Sequence, residues 1–283
     1  MSPSQRRDWL RRRLQEGPLL VAPGVFDALS ARLVEVCGFE AVYASGGAIA
    51  RTLGFPDLGL VSLWEVAEVL RRVCRATRLP VVADADTGYG GLLNVHRTVR
   101  EWEEAGAAAL HLEDQTLPKR CGQYEGIRLV SPEEMVARVR AAVEARRDGL
   151  VVIARTDARA VEGLEAAVDR ANAYAEAGAE ALFVQGLRSL EEVAEVARRL
   201  PRPLVVNVPS GARWRPDDLQ EAGCRLAIYA GELQRAALAA VRRVAERLRE
   251  EGFVDSAALA PEDERDRLVD THLWRTLADR YGG

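Results

Sequence analysis

The chain has 283 residues, 48% of them apolar and 29% charged, which is ample for one large α/β domain with a substantial core. Lys plus Arg number 39 and Asp plus Glu 43, and the resulting net charge of −4 gives no electrostatic case for a nucleic-acid partner. No apolar run approaches the ~20 residues of a membrane span, and the N-terminus lacks the apolar core of a signal peptide, so a cytoplasmic protein is expected.

The first segment carries Arg6, Arg7, Arg11, Arg12 and Arg13. Such a run reads as the solvated face of a helix. From residue 19 onward, short apolar runs rich in β-branched residues alternate with longer helical patterns. The runs predict strands at 19–22, 41–44, 80–84, 108–113, 150–155, 181–185, 204–208 and 226–229. They are continuous rather than alternating, as parallel strands buried on both faces require. Between them, apolar residues at three- and four-residue spacing predict helices at 28–37, 63–76, 95–105, 133–145, 164–177, 190–200 and 233–249, with a shorter one at 216–222. Ala105-Gly106, Ala177-Gly178, Ala222-Gly223 and Cys37-Gly38 suit helix ends capped by a left-handed glycine.

Eight β/α units predict a TIM barrel in which catalytic groups gather at the C-terminal strand ends. The segment after the first strand, Ala22-Pro23-Gly24-Val25-Phe26-Asp27, lacks the glycine-rich phosphate fingerprint of a doubly wound sheet. The chain is therefore expected to be a single domain over residues 1–283. Its barrel spans about 18–252, and a helical tail covers about 253–283. Cys37, Cys74, Cys121 and Cys224 share no metal-finger spacing and are expected as free thiols. The apolar surroundings of Cys37, Cys74 and Cys224 suit core positions.

In the barrel reading each strand delivers chemistry to one rim. Tyr43-Ala44-Ser45-Gly46-Gly47 ends the second strand and offers either an anion nest or a tight turn. Asp57 follows in a Gly- and Pro-containing loop. Asp84 and Asp86 end the third strand; His111 and Glu113, two residues apart on one face, end the fourth. Arg155 ends the fifth, where a planar fork suits a carboxylate. Gln185, Asn207 and Ser210 follow the sixth and seventh. Taken singly, each has a plain structural alternative: an Asp after a strand reads as a helix cap, and His111 as a hydrogen-bonded core histidine. Carboxylates crowded on one rim repel unless a cation joins them, which points to a hard divalent ion with oxygen ligands. The irregular segment 115–130 is long enough to be a lid, and its Cys121 lies between Lys119, Arg120 and Gly122, where flanking cations favour a thiolate.

Tyr43-Ala-Ser-Gly-Gly47, Asp84-Ala-Asp-Thr-Gly-Tyr-Gly90, His111-Leu-Glu-Asp-Gln115, Lys119-Arg-Cys-Gly122 and Ala154-Arg-Thr-Asp157 together resemble the isocitrate lyase/phosphoenolpyruvate mutase superfamily, and most closely its 2-methylisocitrate lyase-like branch. The resemblance implies a modified (β/α)8 barrel whose last helix is swapped between subunits of a homotetramer. It implies Mg²⁺, with Mn²⁺ able to substitute, among Asp57, Asp84, Asp86 and Glu113. It further implies a carboxylic-acid substrate held by Tyr43, Ser45, Gly46, Gly47 and Arg155. The gating loop matches residues 119–123, with Cys121 as acid/base and Lys119, Gly122 and Gln123 beside it. The implied reaction is a retro-aldol cleavage of a 2-hydroxy acid to a 2-oxo acid plus a carboxylic acid. Gln123 and Gln185 stand where the lyases carry His and Glu. These departures keep a smaller substrate of the substituted malate type, oxaloacetate decarboxylation and carboxyphosphono-type P–C chemistry open. Asn207 and Ser210 are candidates for the distal part of the substrate.

Overall fold

The computed structural model describes residues 1–122 and 124–282. These fall into two compact units, Met1–Glu232 and Leu233–Gly283. The first unit begins with α1 (Pro3–Gln15). Eight parallel strands follow, β1 (Leu20–Val25), β2 (Val42–Ala44), β3 (Val81–Asp84), β4 (Ala109–Glu113), β5 (Val151–Thr156), β6 (Ala181–Val184), β7 (Leu204–Asn207) and β8 (Cys224–Tyr229), and they close into a barrel as β8 pairs with β1. The intervening helices are α2 (Ala28–Val36), α3 (Gly46–Thr52), α4 (Leu63–Ala76), α5 (Leu92–Ala105), α6 (Pro132–Ala145), α7 (Ala158–Val161), α8 (Leu164–Glu176), α9 (Leu190–Arg199) and α10 (Pro216–Glu221). The architecture is the expected (β/α)8 barrel, with every predicted strand present.

Inside the barrel, Leu20, Val82, Val151, Ile153, Phe183, Val205, Leu226 and Ile228 form one buried cluster. Leu10 and Leu14 of α1 join that cluster from below, so α1 closes the N-terminal end. This overturns the solvated reading of the arginine run at two positions. Arg6 and Arg7 are buried. Arg7 donates through Nε to the Ala107 carbonyl (3.0 Å), through Nη2 to Glu103 (2.6 Å) and through Nη1 to Asp148 (3.3 Å). Arg6 reaches the carbonyls of Cys74, Thr77 and Leu79 at 3.1–3.3 Å. Those carbonyls lie at or just beyond the C-terminal ends of α4, α5 and α6, where helices leave acceptors unmatched and favour positive charge.

Two further expectations change. Cys37 is exposed, because it is the C-cap of α2 at a helix end where Val36 and Phe39 are exposed as well; Cys74 and Cys224 are buried as expected. The Ser45-Gly46-Gly47 turn opens a helix. Ser45 caps α3, its Oγ accepting from the Ala48 amide at 3.4 Å.

The second unit contains most of α11 (Glu232–Glu251), a 3-10 turn (Ser256–Ala258), α12 (Glu262–Leu268) and α13 (Thr271–Tyr281). Leu238, Val241, Leu248, Leu273 and Trp274 are exposed there. Among the described residues no helix is long and apolar enough to cross a membrane.

Candidate active site

The C-terminal strand ends carry the charge. Asp84 closes β3, and its backbone carbonyl accepts from the indole of Trp102 at 3.0 Å, so a fully buried side chain of α5 holds it. The chain then bends sharply. Asp86 takes a left-handed φ of 46° and Tyr89 one of 59°. Non-glycine residues pay steric energy for this conformation, and it clusters at functional loops. Asp86 donates its amide to Asp84 Oδ1 (3.0 Å), and its carbonyl accepts from the Glu113 amide (2.9 Å). Both hydrogen bonds tie the bend to β3 and β4.

Across the rim, β4 and β5 align Glu113 with Arg155, whose Nη1 lies 3.2 Å from Glu113 Oε2. The other two nitrogens of the fork are taken by Asp157, Nε at 3.0 Å and Nη2 at 2.8 Å. Asp157 is held in turn: its amide donates to buried Asp114, which also accepts from Thr156 Oγ1 (2.7 Å) and the Tyr174 hydroxyl (2.8 Å). Sequence reasoning assigned no role to Asp157. The signal was its two-residue spacing from Arg155.

Tyr43 reaches the same cluster from β2. Its hydroxyl lies 3.2 Å from Asp84 Oδ2 and 2.9 Å from His111 Nε2. If the hydroxyl donates to the carboxylate, Nε2 must carry the imidazole proton and donate to the tyrosine oxygen; that tautomer is assigned from the hydrogen-bond pattern. His111 Nδ1 is buried without a hydrogen-bond partner. Burial brings the His111 pKa to about 4. It is therefore neutral at pH 7, packed between Tyr43 and the edge of Phe183.

The lid closes onto this rim. Lys119 is buried, and its ammonium bridges the Asp57 and Asp86 carboxylates, 2.6 Å from Asp86. Burial opposes that charge, but Asp86, Glu113, Asp57 and Asp84 outweigh it and raise the lysine pKa well above its usual value. The Cys121 amide donates to the Asp57 carbonyl at 3.2 Å. Arg120 turns to the Glu125 carbonyl and Lys119 to the Asp57 and Asp86 carboxylates. Arg51 of α3 donates to the Gly47 carbonyl at 2.7 Å and to the Tyr124 hydroxyl at 3.3 Å. Burial opposes its charge, but Tyr124, Asp57 and Cys121 are among the groups that raise its pKa. Gly122 is pressed into the rim. A Cβ there would lie 2.5 Å from Arg155 Nη2, 2.9 Å from Asp157 Oδ1 and 3.0 Å from Gln185 Cγ. Gly46 and Gly47 are equally tight, since a Cβ on either would come within 2.7 Å of Asp84 or Asp57. Gln123 lies outside the described residues. Asn207 is half-buried at the end of β7, and Ser210 is exposed in the following loop, two strands round from Arg155.

The donor set suits a hard divalent cation. Burial raises Glu113 well above the ordinary carboxyl range, and its Oε1 has no hydrogen-bond partner. Burial also pushes Asp86 up to about 6, with Asp84 and Asp57 adding to the rise against Lys119. For Asp84 burial acts upward too, yet with His111 neutral the charges of Lys119 and Arg155 and the hydrogen bond from the Asp86 amide hold it below the ordinary carboxyl range. Among the described residues, no group of three or more His, Cys, Asp or Glu side chains is gathered closely enough to ligate one ion. Mg²⁺ fits such a spread set because it usually keeps several waters between itself and its carboxylates.

The phosphoenolpyruvate phosphomutase family model matches residues 10–249. The chain is 48% identical to a 2-methylisocitrate lyase of Aeropyrum pernix over 246 residues, 86% of this chain and 80% of that one. The crystal structure of a 2,3-dimethylmalate lyase superposes with a TM-score of 0.92 at 34% identity, over 100% of this chain and 96% of that one. A phosphonopyruvate hydrolase solved with oxalate and Mg²⁺ superposes with a TM-score of 0.90 at 32% identity, covering 100% of both chains. With the closed barrel and the five rim motifs, these similarities identify the chain as a carbon–carbon lyase that belongs to the phosphoenolpyruvate phosphomutase family, within the isocitrate lyase/phosphoenolpyruvate mutase superfamily.

Proposed function

We propose that the protein is a cytoplasmic, Mg²⁺-dependent lyase that cleaves a 2-hydroxy acid of the substituted malate or isocitrate type. The products are a 2-oxo acid and a carboxylic acid. The observation that carries this reading is convergence: the lid residues Lys119, Cys121 and Gly122 meet Asp57, Asp86 and Arg155 on one rim. Asp57, Asp84, Asp86 and Glu113 would hold the ion, partly through waters, and Mn²⁺ would substitute. When bound, Mg²⁺ supplies Lewis-acid polarisation of substrate oxygens.

The residues divide the remaining work. Arg155, locked by Asp157, presents its Nη1 edge to a substrate carboxylate. Ser45, Gly46 and Gly47 at the start of α3 receive the other oxygens of the 2-oxo acid half. Tyr43 keeps its proton, because burial and then Asp84 raise its pKa well above 10.0, so it serves as a hydrogen-bond donor. Lys119 adds positive charge where negative charge develops as the carbon–carbon bond breaks. The substrate's 2-hydroxyl gives its proton to a rim carboxylate such as Asp86, and the carbon–carbon bond breaks as the 2-oxo group forms. Cys121 gives its proton to the carbon of the departing carboxylic acid while the seated lid excludes water. Gln185, Gln123, Asn207 and Ser210 bind the distal part. Gln185 is neutral and packs against Gly122, which favours a substrate with less distal charge than a tricarboxylate. The exposed apolar residues of α11 and α13 support a homotetramer with swapped C-terminal helices. No nucleic acid or membrane enters this reading.

The test is pyruvate or glyoxylate release, with Mg²⁺ and with EDTA, from 2-methylisocitrate, isocitrate, 2,3-dimethylmalate, oxaloacetate and phosphonopyruvate. Mg²⁺-dependent cleavage of one hydroxy acid is expected, falling roughly 10²–10⁴-fold in Cys121→Ser, as loss of a proton-transfer group does. Turnover of oxaloacetate alone, indifferent to Cys121, would make the protein a decarboxylase. Turnover of phosphonopyruvate alone would make it a P–C enzyme.

A further inference from the structure

Two residues beyond β4, the Gln115 side chain does something the proposed mechanism does not use. It is buried. Its Nε2 donates to the Arg120 carbonyl at 2.9 Å, and its Oε1 accepts from the Arg120 amide at 2.8 Å. A primary amide thereby pairs with both backbone groups of one residue, as a neighbouring strand would. Those groups belong to the two peptide planes flanking Arg120. One plane begins at Lys119 and the other ends at Cys121. Fixing both planes fixes where the ammonium and the thiol leave the backbone.

The base of the clip is itself rigid. Gln115 pairs with Leu129 in an isolated antiparallel bridge, with Thr116 donating to Arg128 (2.8 Å) and Val130 to Asp114 (2.9 Å). Arg138 of α6 donates to the Gln115 carbonyl at 3.0 Å and lies 3.4 Å from that of Glu113. The clip therefore shares its anchor with Glu113 and transmits the position of β4 to the lid. We infer that Gln115 is the positioning residue of the lid: its amide pins Arg120 so that Lys119 and Cys121 reach the rim together. The inference rests on the proposed role of Cys121 in proton transfer.

The experiment compares Gln115→Glu and Gln115→Leu with the parent in a Cys37→Ser background, which removes the exposed competing thiol. Glutamate keeps the acceptor for the Arg120 amide but sets a second acceptor against the Arg120 carbonyl. Leucine removes both bonds. Three readouts are taken: tryptic cleavage after Lys119 and Arg120, alkylation of Cys121 by iodoacetamide, and kcat with KM on whichever acid of the panel is turned over. Cleavage should accelerate roughly tenfold as the pinned backbone opens. The alkylation rate should change with it. kcat should fall roughly 10- to 100-fold through misplacement of the reacting groups, with KM nearly unchanged. Melting of Gln115→Glu keeps a fold defect apart from a positioning defect. A parental kcat in both variants overturns the inference, and so does a lowered kcat with parental cleavage and alkylation. Cleavage and alkylation need no substrate, so failure of the clip is read separately from failure of the lyase reading.

Discussion

Both ends of the barrel bury arginine, for opposite purposes. At the N-terminal floor Arg6 and Arg7 give their donors to backbone carbonyls of fixed geometry, which nothing is meant to displace. At the C-terminal rim Arg155 and Lys119 face carboxylates. Burial raises the pKa of two of these partners, Glu113 and Asp86, and under the proposed reaction a ligand and an ion would share their contacts. The same chemistry is a bolt where the acceptors are backbone carbonyls, with one carboxylate, Asp148, 3.7 Å from Arg7 Nη1, and a site where several carboxylates are held together on one rim.

The sharpest way to break that contrast is a paired substitution. Arg155→Lys keeps a positive charge but loses the planar fork held by Asp157 and Glu113. Under the proposed reaction kcat/KM should fall roughly 10²–10³-fold, as when a single transition-state donor is lost. Folding should change little. Arg7→Ala should do the reverse. Carbonyls that accept a buried guanidinium are left unmatched, at a cost of about 3 kcal/mol in chemical denaturation. Activity per folded molecule should remain parental. If Arg7→Ala impaired catalysis without destabilising, the floor would not be a purely structural region.

The metal offers the next test. An ion that binds only the folded rim stabilises it by about 2.7 kcal/mol at a hundred times its dissociation constant. Melting with Mg²⁺ against EDTA should therefore shift by several degrees in the parent and in Arg7→Ala alike. The shift should vanish in Asp84→Asn. A shift that survives Asp84→Asn would place the ion elsewhere.

The two ends also differ in how well the sequence announces them. The strands were legible because parallel strands buried on both faces need continuous apolar runs. Their polar ends were legible because carboxylates such as Asp84 and Glu113 stop those runs abruptly. The floor was misread because exposure of Arg6 and Arg7 is decided by carbonyls 68 to 141 residues away. α3 was missed because Gly46-Gly47 looks like a turn and the helix is too short to show a period. The seat of Lys119 and the Gln115 clip depend on how the lid folds back, which local spacing does not encode.

Acid separates the two ends by the smallest margin, through His111. Its pKa of about 4 in the folded protein lies below the 6.5 of an exposed imidazole. A base whose folded pKa is depressed contributes stability that is whole above the unfolded value and is lost as pH falls through the folded one. The loss therefore runs from about pH 6.5 to pH 4 and reaches roughly 2 kcal/mol by pH 5. The floor has no counterpart, since the hydrogen-bond acceptors of Arg6 and Arg7 are backbone carbonyls, which do not titrate. Asp86, raised to about 6 from 3.8, acts with the opposite sign over part of the same range. Its stability is present at low pH and is lost as pH rises. A single stability–pH curve would blend the two, but the difference between the parent and His111→Gln, both in EDTA, cancels the aspartate. That difference should close by about 2 kcal/mol between pH 7 and pH 5, because only the parent must protonate a buried ring on unfolding. Parallel curves would mean that His111 takes up its proton at the same pH folded and unfolded; a difference that widens toward pH 5 would mean that it already carries its proton in the fold, and the Tyr43–His111 pair would then have to be reassigned as a charged one.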